Sequence, residues 1–423
     1  MILKKVHFWC VVTLICFLAD TRVCADDKPS GPHPPAVMTE EGLRVHRTGL
    51  LIDGHNDLPW QVRQKGDSSF DKLDISHIQS DTQTDIPRLK RGGVGAQFWA
   101  VYVPAETAHD GTAAAMAREQ FAIIEAMVQR YPHDFAFART ADDIERIHAD
   151  GKIACLIGVE GGHMIENSLV ILREFYDRGA RYMTLTHSET IDWADSATDE
   201  ARHDGLTPFG ESVVREMNRL GMLVDIAHVS HDTMRDALRV SRAPVIASHS
   251  SAYAIAPHNR NVPDDVLRMI KDNRGVVMVN FYSGYVVPEA ARIMAKSFEL
   301  ERELKQRYPD EAQYKAAMQQ WLDEHPIPRG TVYDVVDHID HIVEVAGIDC
   351  VGIGGDFDGI DKTPEQLDDV SGYPYLTQAL LDRGYAPDDV HKIMGGNLLR
   401  ALRGAEHVAR ELQQSEPRTT TPP

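Results

Sequence analysis

Residues 221–250 read GMLVDIAHVSHDTMRDALRVSRAPVIASHS, and this stretch contains the repeating unit of the predicted fold. Two short apolar runs, 221–227 and 244–248, flank an amphipathic segment at 230–240. A strand, a helix and a second strand in this order predict two neighbouring parallel strands. The stretch therefore indicates an α/β protein.

Apolar runs of the same kind recur along the whole chain. We predict eight strands, at residues 49–54, 93–102, 152–159, 180–186, 221–227, 244–248, 275–281 and 350–355. Helices are predicted between them at residues 113–130, 168–178, 210–220, 230–240 and 264–272. Eight repeats of this alternation predict a closed (β/α)8 barrel, the TIM barrel fold. A doubly wound open sheet is the alternative, but no glycine-rich phosphate or dinucleotide fingerprint follows any strand.

The segment 288–340 is longer than one barrel connection requires. Its charged stretches at 297–307 and 311–322 predict a helical insertion between the seventh and eighth strands. A lid, a dimer contact and a solvated excursion without a role all remain open. We assign the barrel domain to residues 41–410 and expect a flexible tail at 411–423.

The N-terminus has the pattern of a cleaved signal peptide at residues 1–25. Lys4 and Lys5 precede an apolar run that is too short to span a bilayer, and small residues follow. A polar, proline-rich linker is predicted at 26–40. We therefore expect an exported protein, periplasmic or secreted. The polar C-terminus lacks a lipid-anchor pattern, so no membrane anchor is expected.

Charge and cysteine content narrow the possible partners and the redox chemistry. The formal net charge is −20, which argues against nucleic acid or anionic lipid as a partner. Three of the five cysteines lie within the predicted signal peptide. Cys155 and Cys350 lie in apolar runs, where we expect buried free thiols rather than a disulfide.

Imidazole and carboxylate side chains follow six of the predicted strands. The residues are His55, Asp57, Glu160, His187, His228, His249 and Asp356. The C-terminal ends of barrel strands meet on one face, where barrel enzymes place their chemistry. Burying so many ionisable groups together without cations would cost several kcal/mol, so this pattern predicts a metal site.

The residue types and their spacing indicate which metal is bound. His55 and Asp57 leave the first strand on the same side and can chelate one ion. His228 and His249 each end an apolar run and suit a second ion, and Glu160 could bridge both. Imidazole and carboxylate ligation without thiolate is typical of catalytic zinc, because water can fill the open position. We predict two Zn²⁺ ions per chain.

Several motifs carry a resemblance to a known family. They are DGHNDLP at 53–59, GVEGGH at 158–163, LTH at 185–187, DIAH at 225–228, SHS at 248–250 and GGDFDG at 354–359. With these motifs the chain resembles the membrane (renal) dipeptidase family of zinc metallopeptidases, within the amidohydrolase superfamily. The resemblance extends over about residues 48–403, and HNRN at 258–261 and GGN at 395–397 also resemble family stretches.

The resemblance implies a division of the metal ligands. His55, Asp57 and Glu160 are expected to bind one zinc ion. Glu160, His228 and His249 are expected to bind the other, so that Glu160 bridges the pair.

The resemblance also implies roles in substrate binding and catalysis. His187 is expected to contact the scissile carbonyl or the tetrahedral intermediate, and Arg260 to pair with the substrate carboxylate. Asp356 is expected to act as acid and base. The implied substrates are dipeptides, including those with a C-terminal D-residue, and a homodimer is expected.

Four further residues have competing interpretations. His163 follows two glycines and could support a metal ligand. Asp358 could orient a ligand or cap the following turn. His338 and His341 have a spacing that could imitate a metal pair, but their surroundings indicate an ordinary helix face.

Two other functions compete with the dipeptidase interpretation. A sister amidohydrolase would cleave N-acyl amino acids, lactones or phosphotriesters, but many such enzymes bridge their metals with a modified lysine where this chain has Glu160. A periplasmic binding protein or another barrel without activity would be indicated by loss of a ligand or of Asp356, and none is lost.

Overall fold

The computed structural model of the chain describes residues 34–308 and 310–415, and the side chain of Glu311 lies outside this description. The predicted signal peptide, residues 26–33 of the predicted linker and residues 416–423 of the predicted tail lie outside the described residues. Residues 411–415 belong to the last described helix. None of the described helices is both long enough and apolar enough to cross a bilayer.

Nine strands of the described chain form one parallel sheet. They are β1 (Leu51–Asn56), β2 (Val94–Val101), β3 (Phe135–Phe137), β4 (Ile153–Glu160), β5 (Ala180–Thr184), β6 (Leu223–Asp225), β7 (Ile246–Ala247), β8 (Val276–Val279) and β9 (Val351–Ile353). Their order is β2-β1-β9-β8-β7-β6-β5-β4-β3, and β2 also pairs with β4. That extra pairing closes eight strands into a barrel, so the predicted TIM barrel is confirmed and the open sheet is excluded.

Strand β3 is absent from the sequence prediction. It pairs with Ile153–Cys155, the first half of β4, whereas β5 pairs with the second half, Ile157–Glu160. Because β2 pairs with the other side of β4, strands β3 and β5 share a single edge of that strand. Strand β3 therefore lies beside the barrel and is not one of its eight strands.

Helices surround the strands. They are α1 (Glu40–Thr48), α2 (Leu58–Gly66), α3 (Ile86–Arg91), α4 (Thr107–Asp110), α5 (Ala113–Arg130), α6 (Ala141–Ala149), α7 (Leu169–Arg178), α8 (Pro208–Leu220), α9 (His231–Val240), α10 (Asp264–Asn273), α11 (Ser283–Val286), α12 (Pro288–Arg307), α13 (Glu311–Glu324), α14 (Val332–Ala346), α15 (Tyr373–Asp382), α16 (Pro387–His391) and α17 (Asn397–Ser415). The five helices predicted from the sequence are confirmed as α5, α7, α8, α9 and α10.

Local sequence explains where these helices begin and end. The side chains of Ser168, Thr207 and Ser230 each accept a hydrogen bond from the first turn of α7, α8 and α9. Such caps satisfy backbone N–H groups that have no partner within the helix. Helix α8 ends at Gly221, whose left-handed backbone (φ 86°) suits glycine.

The predicted helical insertion between the seventh and eighth barrel strands is confirmed. Helices α11, α12 and α13 follow β8, the seventh barrel strand, and α12 packs against both of its neighbours. Helix α14 instead contacts β8 and β9, together with α10 and α15. It therefore belongs to the outer helical layer, and the inserted helices end at Glu324.

Apolar side chains fill the barrel interior. Phe98, Leu156, Tyr182, Ile246 and Met278 are buried and belong to one cluster that continues to α6 and α17. The rings of Phe98 and Tyr182 lie 5.0 Å apart, although their strands are not neighbours in the sheet. The barrel is therefore packed, as in other proteins of this fold, and any ligand must bind at its end.

The two remaining cysteines behave as the sequence predicts. Cys155 and Cys350 are both free and buried. Burial raises the pKa of the Cys155 thiol to about 12, and it also raises that of Cys350. Both thiols are therefore protonated and unreactive at neutral pH.

Candidate metal centre and active site

A cavity of about 730 Å³ opens at the C-terminal end of the barrel strands. Its wall contains six of the predicted site residues, namely Asp57, Glu160, His187, His228, Arg260 and Asp356. The other two, His55 and His249, are buried in contact with Glu160. The structure therefore brings all eight predicted residues together.

Glu160 lies at the centre of the cluster, at the end of β4. Its Oε1 atom lies 3.1 Å from Nε2 of His228, 3.4 Å from that of His55, 3.5 Å from that of His249 and 3.6 Å from that of His187. Four imidazole nitrogens thus face one carboxylate oxygen, an arrangement that suits shared coordination of cations.

The cluster fits divalent metal ions on its own geometry. The Nε2 atom of His55 is buried without a hydrogen-bond partner, 3.2 Å from Oδ2 of Asp57. The Nε2 atoms of His228 and His249 lie only 2.8 Å apart. Both observations place imidazole nitrogens around a common space, as ligands surround a metal ion.

Three groups of potential ligands have all their donor atoms within 4.8 Å of one another. They are His55, Glu160 and His249; Glu160, His187 and His228; and His55, Asp57 and Asp356. Glu160 belongs to two of these groups, in keeping with a bridging role. The groups cross the predicted division into two ligand sets, which therefore stays a prediction.

The protonation states of the imidazoles depend on burial and on the carboxylates. Burial lowers the pKa of His228 and His249 well below the ordinary value, so both are neutral, which is the form that binds metals. Burial alone would also lower the pKa of His55, but Tyr182 and the nearby carboxylates, Glu160 first, raise it well above its ordinary value. A proton on His55 thus balances the negative charge of the nearby carboxylates, which a bound metal cation would otherwise balance.

A hydrogen-bond relay orients His55. Its Nδ1 atom lies 2.8 Å from the hydroxyl oxygen of Tyr182, and that hydroxyl donates to the carbonyl oxygen of Gly54 at 3.1 Å. Because the hydroxyl proton is used in that bond, its oxygen accepts from the N–H of His55 Nδ1. In the neutral imidazole Nε2 is then free to bind a metal ion.

A second relay orients His249. Its Nδ1 atom lies 2.8 Å from Oγ of Ser248, which donates to Oδ2 of Asp225 at 2.6 Å. Oδ1 of Asp225 also accepts from the backbone N–H groups of Ala227 and Ser248. The same reasoning places the proton of His249 on Nδ1 and leaves Nε2 to face Glu160.

Asp356 follows β9 and faces the same cluster from another side. Its Oδ2 accepts a hydrogen bond from Nδ2 of Asn280 at 2.8 Å. Burial raises the pKa of Asp356 to about 8, so the carboxyl group can hold a proton near neutral pH. Its backbone is left-handed (φ 61°), as is that of His228 (φ 63°), and such conformations are strained for residues other than glycine.

Arg260 is a buried cation in the cavity wall. Only 2% of its surface is exposed, and its Nε and Nη1 atoms have no hydrogen-bond partner among the described residues. Its guanidinium carbon lies 5.4 Å from the centre of the Tyr285 ring. A buried guanidinium with unpaired donors is costly, so this geometry favours an anionic ligand.

His187 packs against the metal-ligand cluster. Its ring stacks on that of His228 at 4.3 Å and lies 4.9 Å from that of Tyr102. Burial lowers the pKa of His187 well below its ordinary value, so the ring is neutral. A neutral imidazole here can provide one N–H donor to a bound substrate.

Comparison with known proteins identifies the family. Residues 39–416 match the model of the membrane dipeptidase family, peptidase family M19. The chain belongs to the membrane dipeptidase family. It is 38% identical over 376 residues to Dipeptidase 3 of Mus musculus, covering 88% of this chain and 67% of the relative. This family consists of metallopeptidases, so membership supports dipeptidase activity for this chain.

Solved structures of metallopeptidases agree with this assignment. One described as dipeptidase AC, of family M19, is 26% identical with a TM-score of 0.69, covering 85% of this chain and 99% of that one. A metallopeptidase from Rhodobacter sphaeroides, liganded with a phosphinate mimic of the dipeptide L-Ala-D-Ala, is 25% identical with a TM-score of 0.70. That match covers 84% of this chain and 99% of the other.

His163 and Asp358, two of the residues with competing interpretations, bond to residues outside the ligand cluster. The Nε2 atom of His163 lies 3.2 Å from the Val103 carbonyl oxygen, outside the ligand cluster. Asp358 joins two loops, since its N–H donates to Oε1 of Gln83 at 2.6 Å and its Oδ1 accepts from the Gln83 N–H at 2.7 Å. It therefore links the loop that carries Asp356 to the segment after α2.

His338 and His341 are structural, as predicted. The Nδ1 atom of His338 accepts from the Ala252 N–H, and its Nε2 bonds to the Val286 carbonyl, both at 2.9 Å. His341 instead bonds to Asp264 at 2.7 Å. The two imidazoles of α14 therefore bond to different residues and do not form a metal pair.

Proposed function

We propose that this chain is an exported, zinc-dependent dipeptidase that hydrolyses the peptide bond of dipeptides. The observation that carries the proposal is the buried guanidinium of Arg260, whose Nε and Nη1 atoms have no partner among the described residues and which lies in the same cavity wall as Glu160 and its ring of imidazoles. A carboxylate-binding cation beside a metal-ligand cluster suits a very short peptide with a free C-terminus. Dipeptides are therefore the proposed substrates.

The metal content is proposed as two Zn²⁺ ions per chain. His55, Asp57 and Glu160 would hold one ion, and Glu160, His228 and His249 the other. When bound, such ions would lower the pKa of a coordinated water and polarise the scissile carbonyl.

The remaining residues of the site would move protons and orient the substrate. Asp356 takes the proton of the attacking water and returns it to the leaving amine, a dual role that its raised pKa supports. The neutral His187 donates a hydrogen bond to the oxygen on which negative charge develops. Arg260 aligns two N–H donors with the terminal carboxylate, which fixes the position of the peptide bond.

The experiment that tests this function compares a dipeptide with its C-terminal amide. In the parent protein, kcat/KM for the amide should fall by at least about tenfold, because charge-assisted hydrogen bonds to Arg260 are lost. Arg260→Ala should lower kcat/KM for the dipeptide and abolish this penalty. Equal cleavage of both compounds by the parent would show that Arg260 does not bind the carboxylate.

A C-terminal D-residue is proposed as an accepted substrate feature. The support is the related Rhodobacter sphaeroides structure, which binds a mimic of L-Ala-D-Ala. Measuring kcat/KM for L-Ala-D-Ala and L-Ala-L-Ala tests the proposal. Failure to turn over the D-containing dipeptide would refute it.

Export and a homodimer complete the proposal. Export is supported by the sequence pattern of residues 1–25, and N-terminal sequencing of the protein from fractionated cells tests it. The homodimer is supported by the family resemblance, and light scattering tests it. The two competing functions have no specific observation in their favour, because β4 ends in Glu160 rather than lysine and every predicted ligand is present.

A further inference from the structure

We propose that Met294 and Phe298 of the inserted helix α12 form the pocket for the side chain of the substrate's C-terminal residue. This pocket selects large apolar side chains at that position. The inference rests on the proposed dipeptidase function and adds to it a specificity determinant supplied by the insertion.

Helix α12 presents one face to the cavity. Met294 and Phe298 are four residues apart, so they lie on the same side of the helix, and both line the cavity. Their neighbour Glu299 is exposed on another side. The insertion therefore contributes two large apolar side chains to a wall that otherwise carries many polar groups.

Contacts on both sides hold α12 across the cavity mouth. The Tyr282 hydroxyl donates to Sδ of Met294 at 3.3 Å, on the side of β8. On the side of β5, Nη1 of Arg302 donates to the carbonyl oxygen of Thr198 at 3.3 Å. Tyr282 and Thr198 also line the cavity, so α12 forms part of its rim.

A continuous row of rings connects this helix to Arg260. The guanidinium carbon of Arg260 lies 5.4 Å from the Tyr285 ring centre, and the Tyr285 ring lies 4.7 Å from that of His258. The His258 ring in turn lies 5.6 Å from that of Phe298. Burial lowers the pKa of His258 to about 3, so the row carries no charge beyond that of Arg260.

This row determines which substrate residue meets α12. A carboxylate bound to Arg260 would leave the attached Cα, and hence the C-terminal side chain, on the side of the cavity that Tyr285 and Phe298 line. A different part of the wall, built by segments after β1 and β9, carries Lys65, Asp81 and Asp361. The cavity wall is therefore apolar where α12 and the row of rings line it and charged in this other part.

The test uses two dipeptide panels, Gly-X and X-Gly, where X is Gly, Ala, Leu or Phe. The parent should prefer Leu and Phe in the Gly-X panel. Phe298→Ala and Met294→Ala should lower kcat/KM for Gly-Leu and Gly-Phe by about tenfold and change Gly-Gly by less than about twofold, because an apolar pocket discriminates by contact area. The matched control, Glu299→Ala on the same helix, should keep the parent preference.

Each outcome supports or overturns the inference. If the variants lose activity only toward X-Gly substrates, the pocket binds the N-terminal residue of the substrate. If kcat/KM changes equally across the Gly-X panel, the pocket does not select for the C-terminal side chain. Either result overturns the inference. If Phe298→Ala does not fold, Phe298→Leu should still lower Gly-Phe relative to Gly-Leu. If the parent cleaves no dipeptide at all, the proposed function fails, whereas dipeptide turnover with an unchanged preference in the variants refutes only the pocket.

Discussion

The Nδ1 atom of His55 lies 2.8 Å from the hydroxyl oxygen of Tyr182, although 127 positions separate them in the sequence. Tyr182 is completely buried inside the barrel. A Cβ atom at Gly158 would lie 2.0 Å from Cζ of Tyr182, so only glycine leaves room for the ring. The packing of the barrel interior thus sets the orientation of a candidate metal ligand.

Tyr182→Phe should weaken metal binding while leaving the fold intact. The ring is retained, but His55 loses the acceptor that holds its proton on Nδ1. Loss of such a partner typically lowers metal affinity by about 10- to 100-fold. Competition with a chromophoric chelator measures this affinity, and Tyr375→Phe, outside the cavity, is the control. Unchanged zinc affinity in Tyr182→Phe would show that the relay does not support the ligand.

Glu160→Gln should remove more metal than His249→Ala. The carboxylate oxygen faces four imidazole nitrogens, whereas His249 supplies one ligand atom to one group. Elemental analysis of dialysed protein should find about two ions per parent chain, about one in His249→Ala and fewer in Glu160→Gln. Equal loss in the two variants would argue against a bridging carboxylate.

Asp356→Asn should retain its metal and fold but lose most of its turnover. The amide can still accept the hydrogen bond from Asn280, but it cannot carry a proton between water and the leaving amine. General acid-base catalysis commonly contributes at least about 100-fold, so kcat should fall by that factor. Steady-state kinetics and metal analysis on the same sample test this, and a fully active variant would refute the role.

The folded protein should lose stability between pH 6.5 and pH 4 because of His338. Burial lowers the pKa of His338 from 6.5 to about 4, so in this range the unfolded chain binds a proton that the folded chain does not. Stability contributed by the neutral imidazole is thus complete above pH 6.5 and falls as the pH decreases. For one such group the loss from pH 7 to pH 5 is about 2 kcal/mol.

Denaturant unfolding of His338→Gln at pH 7 and pH 5 measures this contribution. The variant should be less stable than the parent at pH 7, and the difference in free energy of unfolding should narrow at pH 5. Val335→Ala, a buried apolar change in the same helix, should give the same difference at both pH values. If the difference in free energy of unfolding between His338→Gln and the parent is also the same at both pH values, His338 does not titrate in this way.

The sequence predicts the candidate site well, because its polar residues directly follow barrel strands and the fold brings the ends of those strands together. Six of the eight barrel strands are followed by imidazole or carboxylate residues, and the barrel brings those ends together whatever the details of packing. The relays could not be predicted in the same way. Tyr182 reaches His55 across the barrel interior, and no local pattern encodes a contact between strands that are not neighbours.

Very short strands and helices are difficult to predict from sequence, because they contain too few residues to show a periodic pattern of apolar side chains. Strand β3 has three residues, Phe135–Phe137, too few to show an alternation. Its position depends on the free edge of β4 next to Ile153–Cys155. The predicted insertion extends to residue 340, which lies within α14, whereas the contacts of α14 with β8 and β9 place that helix in the outer layer of the barrel.

The left-handed backbone at His228 and Asp356 has an evolutionary consequence. Glycine would adopt either conformation without the roughly 1 kcal/mol that each side chain imposes. A duplicated copy of the gene that no longer needed to hydrolyse anything would become more heat-resistant by acquiring glycine at these two positions. We therefore expect glycine there to mark the relatives in which this barrel has been put to some other use.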